Sequence, residues 1–271
     1  MTNPDLNATV SDNVKLADEV VGSPSRPLHG FVAILDALGA KNYGAREAEQ
    51  FLKSRDEFIP FISKIAEEQI KIEPNDFQRF IFNDTVILTY VRGRTFQDAW
   101  AFCHVLRVFQ SIFLQKQIFF RGAFGVGDFY RLDPASNTVM GPAVSDAATW
   151  YERADWIGIH ATPYTTIFLK SLLQRENRTL DYVLIDYDVP LKDRGRMRLK
   201  AINWPKGVYL NHGKDRNRAK AAVLSFLAKG PLPIGSESKY FNAIEFYDYV
   251  EGTQSFGRTA EPVESETHRP R

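Results

Sequence analysis

Cysteine is almost absent from this sequence. Its single cysteine, Cys103, cannot form an internal disulfide and cannot by itself supply a cysteine zinc site. The five histidines include no pair at i and i+4 that would present two ligands on one helix face. These shortages favour a reducing compartment and argue against a zinc centre built from cysteine and histidine.

Long apolar runs and an excess of one charge are also missing. No stretch approaches the roughly 18 apolar residues of a membrane-spanning helix, and the first residues lack the basic and apolar segments of a signal peptide. Lysine and arginine total 34 against 33 acidic residues, so no net field would draw the chain to nucleic acid or to a membrane surface. We therefore expect a cytoplasmic protein with neither kind of partner.

The composition is otherwise that of a globular protein with a substantial core. Hydrophobic residues make up 44% of the 271 residues, and the chain has 20 phenylalanines. That length suits one large domain with appendages. We expect a flexible lead-in at 1–27, a main domain at 28–195, a C-terminal extension with helices at 196–251 and a disordered tail at 252–271.

A buried strand that ends in a carboxylate lies near the beginning of the main domain. Residues 31–35 are apolar without interruption, and glycines bound this segment on both sides. The pattern predicts a central strand covered on both faces, which leaves Asp36 partly desolvated at its end. Such a carboxylate needs a partner, and a metal ion is one that suits it. The alternative is a helix N-cap, which this stretch taken alone favours.

The patterns that follow predict the element order β-α-β-β-α-β. Apolar residues at helical spacing over 45–70 are followed by two β-rich runs around Asn83-Asp84, a pair typical of a tight hairpin turn. A helix capped by Thr95 comes next, and then a strand over 118–130. We interpret this order as an α+β protein with a ferredoxin-like core and a C-terminal α/β extension.

Two further segments bear on ligand binding. Glycines recur at every second or third position within the strand at 118–130, which leaves room for another backbone or a ligand to approach. The basic residues between 192 and 200 are interpreted as a solvated loop, with steering of a triphosphate as the alternative. The sequence then predicts two helices near 214–228 and 237–250.

The predicted topology brings two carboxylates together, because the first strand lies antiparallel to the third. The end of the first strand, with Asp36, then lies beside the start of the third, with Asp84. Adjacent carboxylates repel unless one is protonated or a cation lies between them. Magnesium and manganese bind through one or two carboxylates together with substrate phosphates, which points to a nucleoside triphosphate. The alternative is that Asn83-Asp84 only forms a turn.

Four segments, in their order and spacing, resemble the catalytic core of class III nucleotide cyclases. They are Phe31–Gly39, Phe80–Leu88, Arg121–Gly127 and Gly141–Glu152. The run from Gly141 to Ile159 is more similar to the stand-alone pyrimidine cyclases of bacterial Pycsar antiphage systems. The resemblance covers about residues 30–190 and implies that the main domain is a class III cyclase catalytic domain.

The resemblance assigns a metal site to three residues. Asp36 and Asp84 fall on the family's two metal-binding catalytic aspartates, and Ala37 falls where the family offers a backbone carbonyl to one metal. It implies two divalent ions, Mn²⁺ or Mg²⁺, in each site. Such ions lower the pKa of an attacking hydroxyl and neutralise a leaving pyrophosphate.

The family's residues for binding the base and the ribose are replaced in this chain. Phe80 stands where a lysine helps to select the base, and Thr138 lies near a second base-selecting position. Ser145 and Thr149 stand where the family has the asparagine and arginine that steady the ribose and the transition state. A cyclase with an altered base preference would keep the metal ligands and change the base readers, and we favour this interpretation.

Nearby cations and aromatic rings are candidates to replace the missing groups. Arg121, Arg153 and Lys41 could neutralise transition-state charge; the alternatives are a solvated strand residue for Arg121 and a helix-end cation for Arg153. Phe31 and Phe80 could each stack on a pyrimidine, and such stacking is worth about 1–3 kcal/mol. For both rings the alternative is packing in the core.

We therefore predict a homodimeric pyrimidine nucleotide cyclase, with UTP favoured over CTP as substrate. The resemblance implies active sites formed between two protomers, a 3′,5′-cyclic nucleotide and pyrophosphate as products, and an antiphage messenger read by a separate effector protein. The alternative is a catalytically silent cyclase-fold module that senses a nucleotide or holds a partner. The replacements at Ser145 and Thr149 favour that alternative, and the paired aspartates oppose it.

Overall fold

The computed structural model describes residues 26–40, 43–131, 137–230, 232 and 234–253. Within these residues the chain forms eight strands and seven helices. The strands are β1 (Leu28–Ala37), β2 (Phe77–Phe82), β3 (Thr85–Tyr90), β4 (Phe120–Arg131), β5 (Val139–Met140), β6 (Ile159–Ala161), β7 (Leu184–Pro190) and β8 (Arg196–Ile202). The helices are α1 (Ala45–Glu68), α2 (Phe96–Gln115), α3 (Pro142–Arg153), α4 (Pro163–Glu176), α5 (Trp204–Asn211), α6 (Arg216–Lys229) and α7 (Glu237–Gly252).

The strands form one mixed sheet in the order β2-β3-β1-β4-β6-β8-β7, with β5 paired to the end of β4. Strand β1 pairs antiparallel with both β3 and β4, and β2 pairs antiparallel with β3. Strand β6 is parallel to β4. The first six elements therefore follow the predicted β-α-β-β-α-β order, and β1 lies antiparallel to β3 as predicted.

The central position of β1 follows from the alternation of its side chains. Odd-numbered side chains of 31–35 pack against α1 and α2, and even-numbered ones pack against α3 on the other face. None of these five residues is more than 4% exposed. This agrees with the predicted strand covered on both faces. The same alternation directs Asp36 to the face on which α3 lies.

Two local structures predicted from single residues are present. Asn83 has φ of 51°, a left-handed conformation that suits the tight turn between β2 and β3. Thr95 caps α2, because its side chain accepts a hydrogen bond from the Asp98 amide while the Asp98 carboxylate accepts one from the Thr95 amide. Both are short-range effects that a sequence pattern can reveal.

Helix α3 approaches β4 closely at a glycine. A Cβ atom added at Gly125 would lie 3.0 Å from the carbonyl oxygen of Ala143 on α3. Ala143 and Ala147 are both buried on the side of α3 that faces the sheet. The room predicted at the glycines of β4 is therefore occupied, at this position, by the backbone of a helix.

The prediction of a basic loop over 192–200 is wrong, because residues 196–202 form strand β8. Its cations pair with acids of the neighbouring strand: Arg198 lies 3.1 Å from Asp188, and Lys200 lies 3.0 Å from Asp186. The strand was missed because three of its seven residues are basic, although the apolar residues Leu199, Ala201 and Ile202 alternate with them or follow them and are buried. Strands β7 and β8 pair across residue 195, so the domain boundary predicted there falls within one hairpin of the sheet.

Helices α6 and α7 correspond to the two helices predicted near the end of the chain, whereas α5 was not predicted. No helix in the described residues has the length and apolarity needed to cross a bilayer. Most of the predicted lead-in and tail lies outside the described residues, as does Lys41.

Candidate functional site

Asp36 and Asp84 lie side by side at one end of the sheet. Asp36 is paired with Thr85, the first residue of β3, and therefore sits next to Asp84. The backbones of the two segments also touch, since the Ala37 amide donates a 3.1 Å hydrogen bond to the Asp84 carbonyl oxygen. The structure thus brings together the three residues to which the resemblance assigns a metal site.

Arg121 forms an ion pair with Asp36. It is opposite Asp36 on β4, and its Nε and Nη2 atoms each lie 2.9 Å from Asp36 Oδ2. Both side chains are largely buried, at 16% exposure for Arg121 and 17% for Asp36. The guanidinium also lies over the ring of Tyr151, 5.5 Å from its centroid. Arg121 is therefore held between a carboxylate and an aromatic ring.

The electrostatic environment disfavours the ionised form of Asp36. Burial raises the pKa of its carboxyl, Arg121 lowers that pKa, and the nearby charge of Asp84 raises it again. Burial also raises the pKa of Tyr151 to about 12, with the charge of Asp36 as the next contribution. A cation bound between Asp36 and Asp84 would reduce the repulsion between the two carboxylates.

A pocket opens beside Asp84. Its volume is about 360 Å³, and a second pocket of about 260 Å³ shares Tyr43 and Phe51 with it. The larger one is lined by Ala40, Tyr43, Ala48, Phe51, Leu52, Asn83 and Asp84. A mostly apolar wall with a carboxylate at one end is typical of a small-molecule site.

The residues at this site fit divalent cations that prefer oxygen ligands. Asp36 and Asp84 supply two carboxylates, burial and then the charge of Asp84 raise the pKa of Asp36, and backbone oxygens adjoin them. Among the described residues no group of three or more His, Cys, Asp or Glu side chains is positioned to hold a metal ion. Magnesium or manganese bound here would therefore complete its coordination with water or substrate oxygens, as is usual for Mg²⁺.

Arg153 does not reach Asp36 in this structure. It forms a 3.8 Å ion pair with Asp193 and lies over the Trp150 ring, 4.8 Å from its centroid. Its place at the C-terminal end of α3 agrees with the helix-end alternative. The expected catalytic role of Arg153 therefore has no support within one protomer.

Lys192 is a cation at the site that sequence reasoning did not single out. Its charge lowers the pKa of Asp36, and burial together with the charge of Arg121 lowers the pKa of Lys192 itself. The residue lies in the turn between β7 and β8, and its amide donates to the Arg153 carbonyl. The basic run that contains it was the only signal in the sequence.

The rings of Phe31 and Phe80 lie in the core, which corrects the expectation that they bind a base. Phe31 is 0% exposed and stacks on Phe102 with 5.3 Å between ring centroids. Phe80 is 2% exposed and belongs to the cluster beneath α3. Neither ring has an exposed face for a pyrimidine, because neighbouring side chains already cover both faces.

Thr138 lies beside β2 and Ser145 lies on α3. Asn137, which precedes Thr138, donates from Nδ2 to the Ile81 carbonyl at 3.0 Å, so this segment adjoins the Phe80 region of β2. Ser145 and Thr149 are exposed on α3, where the Thr149 hydroxyl donates to the Ser145 carbonyl at 2.9 Å. The predicted site residues therefore fall into two groups within a protomer, one around Asp36 and one along β2 and α3.

Comparison with known proteins adds little to this geometry. No family model matches the chain, and no curated protein matches it. Among solved structures, a bacterial light-regulated adenylyl cyclase aligns with a TM-score of 0.40 and 10% identity, over 74% of this chain and 67% of that one. That similarity is too low to support an argument, so a functional proposal depends on the site itself.

Proposed function

We propose that this protein is a nucleotide cyclase with a class III, ferredoxin-like catalytic core. The observation that carries the proposal is the convergence of Asp36, Asp84 and the Ala37 backbone at one end of the sheet, beside Arg121. The sequence resemblance assigns the same aspartates to metal binding. Two carboxylates, a buried arginine and an adjacent pocket are the groups that phosphoryl transfer requires.

In this proposal each group has a definite role. Asp36 and Asp84 would hold two Mn²⁺ or Mg²⁺ ions, which supply charge neutralisation and favour ionisation of a hydroxyl. Arg121 would offer its guanidinium to phosphate oxygens, a geometry to which its planar donors are suited. Lys192 would add a second cation, since its charge already acts on Asp36.

The reaction would be an intramolecular substitution at phosphorus. The substrate 3′-hydroxyl oxygen forms a bond to the α-phosphorus as the bond from that phosphorus to the β-phosphate oxygen breaks. The hydroxyl proton passes to solvent, and pyrophosphate leaves. A pyrimidine triphosphate, UTP before CTP, is proposed from the resemblance to Pycsar cyclases and from the loss of the family's base-selecting lysine, which Phe80 replaces.

A homodimer is part of this proposal. Ser145 and Thr149 are exposed on α3 and, within the described residues, make no hydrogen bond or ion pair with Asp36, Asp84 or Arg121. Residues on that face could therefore contribute to catalysis only in a site completed by a second protomer. The cyclic nucleotide would act as an antiphage messenger read by a separate effector.

A catalytically silent nucleotide-binding module is the second candidate. The Asp36–Arg121 ion pair favours it, because Oδ2 of the aspartate assigned to metal binding already accepts a hydrogen bond from Arg121 Nε and lies 2.9 Å from Nη2. The absence of the family's asparagine and arginine at Ser145 and Thr149 favours it as well.

Product analysis separates the two candidates. The full chain is incubated with all four nucleoside triphosphates and Mn²⁺, with and without phage lysate, and the products are identified by mass spectrometry. We expect a cyclic pyrimidine nucleotide from the wild type and at least about a hundredfold less from Asp84→Asn. A cyclic purine product would contradict the base preference. No cyclic nucleotide under any condition would leave the silent module as the better account.

A further inference from the structure

Tyr151 is an aromatic neighbour of the Asp36–Arg121 ion pair. It lies in the last turn of α3, and its ring is partly buried against a cluster that includes Ile34 of β1 and Ala147 of α3. Burial and then the charge of Asp36 raise the pKa of Tyr151 to about 12, and Arg121 opposes the rise. The packing of the ring against β1 and α3 fixes it beside both members of the ion pair.

The Arg121 guanidinium has one charged partner and one aromatic partner. Its Nε and Nη2 atoms each lie 2.9 Å from Asp36 Oδ2, and its carbon lies 5.5 Å from the centroid of the Tyr151 ring. Among the described residues no other carboxylate is within ion-pair distance of Arg121. If Asp36 takes another partner, the Tyr151 ring is therefore the neighbour that Arg121 keeps.

The ion pair occupies an oxygen that the proposed metal site requires. A carboxylate oxygen that accepts from a guanidinium has less capacity left for a divalent ion, and the positive charge of Arg121 repels that ion. Both side chains are largely buried, so water screens this repulsion only in part. Binding of a metal ion by Asp36 therefore competes with Arg121.

An aromatic face suits a cation that changes its anionic partner. The ring attracts the guanidinium, but it does not accept the N–H groups in the guanidinium plane as a carboxylate does. Those donors remain available to phosphate oxygens, which planar guanidinium groups bind in pairs. The Tyr151 hydroxyl donates to Glu152 at 3.3 Å, so the ring and not the hydroxyl acts on Arg121.

We propose that Tyr151 is a positioning residue for Arg121. Its ring keeps the guanidinium beside Asp36, both when the carboxylate is the partner and when a phosphate oxygen of the substrate replaces it. The inference rests on the proposed function, because it takes Asp36 as a metal ligand and Arg121 as a phosphate ligand. Tyr151 acts through Arg121 and has no assigned contact with the substrate.

Mn²⁺ binding without nucleotide tests this role independently of turnover. The full chain is titrated with Mn²⁺ at neutral pH, and the free ion is measured by electron paramagnetic resonance. Arg121→Gln should bind Mn²⁺ about tenfold more tightly, because the competing cation is removed. Tyr151→Leu should bind it about twofold to fivefold more tightly, because an arginine without the ring can turn away from the ion.

Two variants serve as controls in the same titration. Tyr151→Phe retains the ring and should bind Mn²⁺ as the wild type does. Tyr164→Leu makes the matched change on α4, where the tyrosine is 63% exposed, and should also leave the affinity unchanged. If Tyr151→Leu does not fold, Tyr151→Met replaces it, because a flexible thioether side chain fits irregular gaps.

A double variant shows whether Tyr151 acts through Arg121. Tyr151→Leu combined with Arg121→Gln should bind Mn²⁺ as Arg121→Gln alone does, because no guanidinium remains for the ring to hold. A defect in packing alone would instead change the affinity equally in both backgrounds. Such an equal change, weaker Mn²⁺ binding by Tyr151→Leu, or an altered affinity in Tyr151→Phe would each overturn the inference.

Turnover separates failure of this inference from failure of the proposed function. With nucleotide present Tyr151→Leu should lower kcat about twofold to fivefold, opposite in sense to its gain in Mn²⁺ affinity, and Tyr151→Phe should retain kcat. A wild type that binds Mn²⁺ but forms no cyclic nucleotide would contradict the proposed function, while the titrations would still decide the role of Tyr151. No Mn²⁺ binding by any variant would overturn both.

Discussion

In the proposed mechanism Asp36 interacts with both Arg121 and a metal ion. Its Oδ2 atom accepts a hydrogen bond from Arg121 Nε, while burial and then the charge of Asp84 raise the pKa of the same carboxyl. A bare pair of carboxylates at this depth would be costly, and the arginine offsets part of that cost. Arg121 therefore stabilises the ionised form of Asp36 and, in our proposal, also binds a phosphate oxygen of the substrate.

Replacement of Arg121 should affect turnover strongly. We expect Arg121→Gln to lower kcat by about 10²–10³, the effect of removing one donor that stabilises transition-state charge. Arg121→Lys should retain part of the activity because a positive charge remains. Steady-state kinetics with the cyclised nucleotide as readout would measure both variants. Arg196→Gln on β8, which breaks an exposed ion pair with Glu245 of α7, is the control and should keep full activity.

His160 should make the protein sensitive to acid. Its ring is 0% exposed, and burial lowers its pKa to about 4, with a hydrogen bond to the Ala161 carbonyl opposing this effect. The unfolded chain therefore binds this proton more readily than the folded protein. The resulting stability is fully present above the ordinary histidine pKa and is lost as the pH falls towards the folded value.

Urea denaturation at several pH values measures this effect. Between pH of about 7 and about 4, the unfolding free energy of the wild type should fall more steeply than that of His160→Gln. The slope is the readout, because the substitution also changes packing against Trp156. Equal slopes for the two proteins would contradict a neutral, buried His160.

At the scale of elements, β1 depends on close contacts that only glycine permits. A Cβ atom at Gly30 would lie 1.9 Å from the Tyr90 carbonyl oxygen and 2.9 Å from the Arg92 amide nitrogen. Both neighbours are backbone atoms of the segment that pairs with β1, so they cannot move without disturbing the sheet. The position of Asp36 at the end of β1 relies on this pairing.

Gly30→Ala should therefore destabilise the fold. We expect a loss of about 1–3 kcal/mol or more in unfolding free energy, as for other overpacked cores. Gly252→Ala is the matched control, because a Cβ atom there has no neighbour within 4 Å among the described residues. Urea denaturation should find the control unchanged or slightly stabilised, since alanine favours helix. Equal stabilities of the two variants would contradict the contact.

At the scale of the whole molecule, the C-terminal elements are part of the fold that supports the site. Strands β6, β8 and β7 continue the sheet beyond β4, and Tyr187 of β7 packs against Phe246 of α7 with 4.6 Å between ring centroids. Lys239 of α7 forms a 2.8 Å ion pair with Asp155, just after α3. The end of α3 that carries Tyr151 is thus anchored by the last helix.

The proposed homodimer predicts a concentration-dependent enzyme. Light scattering should give twice the 30.9 kDa mass of the chain, and specific activity should fall when dilution separates the protomers. Thr149→Glu on the exposed side of α3 should lower both dimer content and activity. Ala221→Glu, exposed on α6, should change neither. A fully active monomer would contradict the shared site.

Local signals in the sequence were sufficient to predict β1, the hairpin turn at Asn83-Asp84 and the helix cap at Thr95. These features depend on side-chain periodicity, on left-handed backbone preference and on a hydrogen bond between near neighbours. The element order also predicted that Asp36 and Asp84 would meet, because antiparallel pairing follows from topology.

Contacts between residues distant in sequence could be identified only in the folded structure. Asp36 and Arg121 are 85 positions apart, and their ion pair depends on the register of β1 against β4. The burial of Phe31 and the effect of Lys192 on Asp36 likewise depend on how elements pack. No pattern within one segment encodes these contacts, because their energy arises only when several segments share a low-dielectric interior.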